Sequence, residues 1–241
     1  HHSVRLSHAW LVLQPLLTTI TYTVMFGLVA RLSPSGVPPM LFYLSGIVPW
    51  TYFSGVVNKT SRTFVSNANV LTKVYFPRLI MPVSTTLSTL FSFLVQLGLL
   101  VIIIGIHAFF LGFDWSPSTA LVFLPLVVLI MSLLGLGTGI LVSAMTTKYR
   151  DLGFLVAFAV QLMMFASPVI FPMEVVAKNH TLLTVLSLNP MTPVINAVRT
   201  MFFGGTMDWA GLGFASAAAA ALILLGLAIF QRVERSFADV V

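Results

Sequence analysis

The chain has 241 residues, 58% of them hydrophobic and only 7% charged, with a formal net charge of +6 and no cysteine. A soluble domain carries about 25% charged residues, so this composition excludes one, and the missing thiols exclude disulfides and thiolate-held metals. The basic residues are scattered over loops rather than clustered, which argues for positive-inside bias across a membrane and against a nucleic-acid partner.

The apolar stretches are long and continuous, as in LVFLPLVVLIMSLLGLGTGILVSAM (121–145). A transmembrane barrel would instead alternate in segments of about ten residues. The expected fold class is therefore an all-α membrane protein, read as one domain with six spans over 10–30, 38–57, 79–110, 119–146, 152–172 and 208–230. About 20 residues cross a ~30 Å hydrocarbon core, so the third stretch must tilt or protrude.

In the first span Tyr22 and Phe26 share a face at i, i+4. SPSGVPP (33–39) turns the chain into the second span, which holds Trp50, Tyr52 and Phe53. Then comes NANVLTKVYFPRLIMPVS (67–84), too polar to cross a membrane. Ser66, Asn67 and Asn69 are good helix N-caps. Val70, Leu71, Val74 and Tyr75 recur on one helical face, and Pro77 stops the run at Phe76. The spacing predicts a helix of about two turns on the cytoplasmic side, flanked by Lys73 and Arg78 at the headgroups.

The third span sets Thr85, Ser88, Thr89, Ser92 and Gln96 on one face, as interhelical packing or as a polar lining. DWSP (114–117) turns into the fourth span, where Gly135 and Gly139 admit a close helix neighbour. The fifth span carries Phe154, Phe158 and Phe165 along one side. Residues 173–207 contain two apolar pieces, HTLLTVLSL and MTPVINAVRTMFF, divided at Asn189–Pro190 and each too short to span. They are expected to be re-entrant, dipping into the outer leaflet and returning, with a surface loop carrying an interfacial helix as the alternative. GLGFASAAAAA (211–221) gives the last span a small-residue surface.

With the N-terminus in the cytoplasm, nine Lys and Arg fall inside and three outside, so both termini are expected to be cytoplasmic. All six acids lie near span ends or in loops, and no P-loop pattern for ATP occurs. A proton-driven carrier usually places a carboxylate within the membrane. His107, near the outer end of a span, is read as packing or interfacial. No acidic pair of the D-x-D kind supports glycosyl transfer. Catalytic residues are therefore expected to be none, and the energy source a separate chain.

VLQPLLTTITYTVMFGLVA (12–30), the 67–84 segment, TTKYRDLGFLVAFAVQLMMFASPVIFP (146–172), LNPMTPVINAVR (188–199) and ERSFADVV (234–241) together resemble the permease subunit of bacterial polysaccharide ABC exporters. That family comprises the Wzm-like O-antigen, capsule and teichoic-acid permeases. Its members begin with an amphipathic helix lying on the membrane, whereas here only HHSVRLSHAW precedes the first span.

The resemblance implies that 67–76 is a coupling helix docking into a cytoplasmic ABC ATPase. Asn67, Asn69, Val70, Leu71, Lys73, Val74, Tyr75, Phe76 and Arg78 would form that contact, with a smaller one from Tyr149, Arg150 and Asp151. It implies a homodimer with two ATPase subunits that bind ATP and Mg, no cofactor in this chain, residence in the bacterial inner membrane, and a lipid-linked polysaccharide as substrate. Rings at Tyr22, Phe26, Trp50, Phe53, Phe154, Phe158 and Phe165, with Arg199 at the outer side, are the channel-lining candidates. Arg5, Arg62, Lys73, Arg78 and Arg150 are cations able to attract the substrate's pyrophosphate. Another glycan, a small amphiphile or a passive channel are the alternative readings.

Overall fold

The computed structural model describes residues 2–32, 34, 36–66, 80–146, 152–177 and 179–238, and side chains within 10–63, 80–146 and 153–229 of these. Every regular element among them is helical. Among the described residues five helices are long and apolar enough to cross a membrane, over Trp10–Val29, Pro39–Thr63, Ile80–Phe110, Thr119–Thr146 and Trp209–Ile229. The chain has an all-helical membrane fold.

Helix α1 (His2–Tyr22) continues into a π-helical stretch, Thr23–Val29. The wider turn ends where Ala30 N–H donates to Met25 O and Leu32 N–H to Phe26 O. Arg31 then takes a positive φ of 53°, turning the chain toward α2. Helix α2 (Pro39–Ser66) opens on a proline, whose missing N–H costs nothing in the first turn. It runs nine residues past the expected end at 57, and it is the best-buried span, the axle around which the others pack.

Helix α3 (Ile80–Phe110) is 31 residues, about 46 Å, longer than the hydrocarbon core needs. A 3-10 turn (Thr119–Phe123), capped by the Ser118 hydroxyl accepting from Ala120 N–H, leads into α4 (Leu124–Thr146). Helix α5 (Leu152–Phe165) is only 14 residues, about 21 Å. The expected fifth span, 152–172, loses its last turns because Pro168 pushes Ser167 out of the α region.

After the short α6 (Met173–Val176), α7 (His180–Leu188) and α8 (Met191–Phe203) meet at 93°. Asn179 caps α7 by accepting from Thr181 and Leu182 N–H. The bend falls at Asn189–Pro190. Asn189 is buried there; its amide donates to Ala166 O and Ser167 Oγ, and its Oδ1 accepts from Met191 N–H. Gly204 and Gly205, both at positive φ, release the chain into α9 (Trp209–Ala238), which continues past the expected end at 230.

Glycine sets the helix spacing. A Cβ on Gly135 would meet Val56, one on Gly139 would meet Thr60, and one on Gly137 would meet Ile223. Alternate faces of one glycine run thus hold α4 against both α2 and α9, close enough for van der Waals contact between backbones. Residue numbers rise together across these contacts, so α2, α4 and α9 run parallel. On α3 they run opposite: Lys59 meets Thr89, while Tyr52 stacks near Phe93 at 5.0 Å.

Candidate functional site

The chain leaves α2 and α4 at the same end of the bundle. Thr146, the last residue of α4, donates its hydroxyl to Ser61 O at 3.1 Å, five residues before α2 ends. The stretches that follow, 67–79 and 147–151, contain the residues expected to couple, Asn67 to Arg78 and Tyr149 to Asp151, and both lie outside the described residues.

The aromatic candidates separate into three groups. Trp50 and Phe53, 3% and 4% exposed, are core side chains of α2 packed on each other at 5.4 Å. In this arrangement they line no open surface, because α2 is enclosed on most sides. Tyr22 and Phe26 are partly buried and edge-to-face at 5.5 Å, and the Tyr22 hydroxyl lies 3.9 Å from Met164 Sδ on α5. Phe154, Phe158 and Phe165 stand out from the bundle, the first two at 75% and 63% exposure. The Phe154 ring lies 5.9 Å from the Arg62 guanidinium, within cation–π range.

Arg199 on α8 is enclosed rather than presented to a lumen. Its guanidinium donates to the carbonyls of Pro168, Val169 (3.1 Å) and Phe42 (3.4 Å), and stacks 3.8 Å from the Phe42 ring centroid. The carbonyls of Pro168 and Val169 follow the end of α5, where no helix continues to satisfy them. The planar fork of arginine ties α8, α2 and that turn together, a task a lysine point charge cannot perform. Gly46 makes it possible, since a Cβ there would stand 2.7 Å from Arg199 Nη2. Sequence reasoning singled out Arg199 by its charge but not Gly46 or Phe42, whose roles depend on contacts across more than 150 residues.

The polar stripe of α3 is half buried between helices. Thr85 donates to Met81 O and Thr89 to Thr85 O, satisfying themselves within the helix. Thr89, Ser92 and Gln96 face a cavity of about 330 Å³ between α1, α2 and α3.

A family model for the ABC-2 type transporter matches residues 3–203. Among curated proteins the chain is similar to the O-antigen export system permease protein RfbA of Klebsiella pneumoniae, 24% identical over 240 residues, covering 100% of this chain and 89% of that protein. It is also similar to the RfbA permease of Myxococcus xanthus, 27% identical over 235 residues, covering 97% of this chain and 87% of that protein. With more than three quarters of its length inside the family model, the chain belongs to the ABC-2 type transporter membrane family.

Proposed function

We propose that this chain is the membrane-spanning permease subunit of an ATP-driven exporter that carries an undecaprenyl-pyrophosphate-linked polysaccharide, most closely an O-antigen, across the bacterial inner membrane. The observation that carries this reading is end-to-end similarity to two permeases named for O-antigen export. The sequence has no P-loop, so hydrolysis belongs to a partner ATPase that binds ATP and Mg.

In this reading the common end of α2 and α4 is cytoplasmic, both termini lie there, and residues 67–76 and 148–151 receive the ATPase. The parallel course of α2, α4 and α9 supports one rigid unit that a push at that end can move. A second copy of the chain completes the channel, with the exposed rings of α5 as the surface offered to substrate or to that copy. Flat rings suit a sliding glycan because each contact is weak and repeated, which permits release. The outer hairpin α7–α8 dips into the membrane and returns, its bend satisfied internally by Asn189, as backbone at that depth requires.

The test is deletion of the gene followed by analysis of lipid-linked glycans. Accumulation of a complete undecaprenyl-linked polymer on the cytoplasmic face, with its surface form lost, is the expected result. Accumulation of a different glycan would name capsule or teichoic acid as the cargo, and an unchanged glycan profile would contradict the reading.

A further inference from the structure

Pro15 lies inside α1. It has no N–H, so the carbonyl of Leu11, four residues back, loses its helical partner. Gln96 of α3, itself buried, supplies a substitute: its amide N–H donates to Leu11 O at 3.4 Å. A side chain on another helix thus bridges the break that the proline makes. The bond is a long one, since N–H···O distances usually end near ~3.2 Å.

Beyond the break α1 becomes irregular a second time, in the π turns of Thr23–Val29, where each N–H reaches five residues back. That stretch is pinned to α2. A Cβ on Gly27 would stand 3.0 Å from Pro39 Cβ, and the Tyr43 hydroxyl donates to Leu32 O at 3.0 Å. The part of α1 before the π turns is held more loosely. Only 17% of the α1 span is buried, against 78% of α2. Thr18 and Thr21 return their hydroxyls to the carbonyls of Gln14 and Leu17. The hydroxyls of Thr19 and Thr23, one turn apart on one face, are buried without a partner and closed to water. Buried polar groups are normally hydrogen-bonded, so this position of α1 leaves two of its own groups unsatisfied.

Room to move lies beside the break. Leu11 and Gln14 line the cavity of about 330 Å³, and so do Asn58 and Lys59 of α2, both N–H donors.

We propose that α1 is a jointed helix with two packed positions, between which the carbonyl of Leu11 changes partner. In the position described here Gln96 latches that carbonyl. In the other, the arm before the π turns has moved into the cavity, and Asn58 or Lys59 donates to Leu11 O instead. Pro15 is the joint, because it frees the carbonyl, and the π stretch pinned to α2 is the pivot. Gln96 is a positioning residue that selects between the two. The proposal needs only the fold of the chain, so it stands apart from the export reading.

The chain has no cysteine, so a pair of spin labels reports on it without background. Leu13 of α1 and Leu224 of α9 are exposed and accept labels as Leu13→Cys and Leu224→Cys. Pulsed electron paramagnetic resonance of the full chain in lipid nanodiscs is expected to give a main distance and a minor second one. Gln96→Met, similar in volume but without a donor, should raise the ratio of second to first about tenfold, as expected for one lost hydrogen bond. Pro15→Ala returns an N–H to Leu11 O. It should therefore abolish the second distance and make Gln96→Met silent in the double variant. Ser92→Leu, which fills part of the cavity, should suppress the second distance as well. Pro15→Ala favours the helix, so its effect is readable even where Gln96→Met does not fold. A single distance in the wild type that Gln96→Met leaves unchanged would overturn the proposal. So would an equal rise from Gln96→Met with and without Pro15→Ala, which is what a packing role for Gln96 alone predicts. An undiminished second distance in Ser92→Leu would overturn it too.

Discussion

Two cations of the helices, Arg199 and Lys59, have opposite surroundings. Arg199 is sealed between α8, α2 and the turn after α5, with carbonyls on its fork and an aromatic ring beneath it. Lys59 stands at the edge of an open polar cavity with a single hydroxyl partner. A charge within a membrane protein needs polar company. Both terminal nitrogens of Arg199 donate to carbonyls, two of them on the turn that no helix continues to satisfy, so it fastens; Lys59 is exposed and, among the described residues, holds one hydroxyl.

That contrast is broken most severely at Arg199. Arg199→Met should destabilise the chain by on the order of 3 kcal/mol or more, since carbonyls of the 168–169 turn lose their donor inside the protein. Thermal unfolding in detergent should show it, and Arg199→Lys should recover little because a lysine cannot span the three carbonyls. Gly139→Val comes next. Even a Cβ would stand 2.5 Å from Thr60 Cβ, so α2 and α4 must part, at about 1–3 kcal/mol. The same unfolding assay measures it, and an unshifted transition would deny that glycine sets this spacing.

Tyr75→Ala combined with Phe76→Ala should leave unfolding unchanged but reduce recovery of the ATPase with the permease, read by co-purification; full recovery with normal export would remove the coupling role. Phe158→Ala should alter stability by less than about 0.5 kcal/mol, because the ring is 63% exposed, while slowing export. Lys59→Gln should shift stability in lipid-free detergent by less than about 0.5 kcal/mol, because the side chain is exposed. A large destabilisation there would place Lys59 with Arg199 among the fasteners.

Much of the fold was legible. Continuous apolar runs with 7% charge admit little besides a helical membrane protein, and the division of 180–203 at Asn189–Pro190 is written in the proline. Gly135 and Gly139 pointed to close packing, and the structure gives them α2 as their neighbour. Helix lengths were less legible. Hydropathy marks where lipid would be tolerated, so it missed the nine residues by which α2 continues past 57, and it did not register that Pro168 cuts α5 short.

The site was harder to read. Trp50 and Phe158 look alike in sequence, yet one is core and the other exposed, because the burial of a membrane ring depends on which helix lies beside it. The cavity at Lys59 needs Gln14, Asn58 and Gln96 from three helices, a coincidence no local pattern carries. Only its α3 edge, the run from Thr85 to Gln96, was visible beforehand.

The most direct measurement is translocation in proteoliposomes containing this chain, with and without its ATPase, using an undecaprenyl-linked glycan as substrate. The account predicts movement of the glycan across the bilayer only when both proteins and hydrolysable ATP are present. Movement driven by this chain alone, or unaffected when the ATPase is left out, would contradict it.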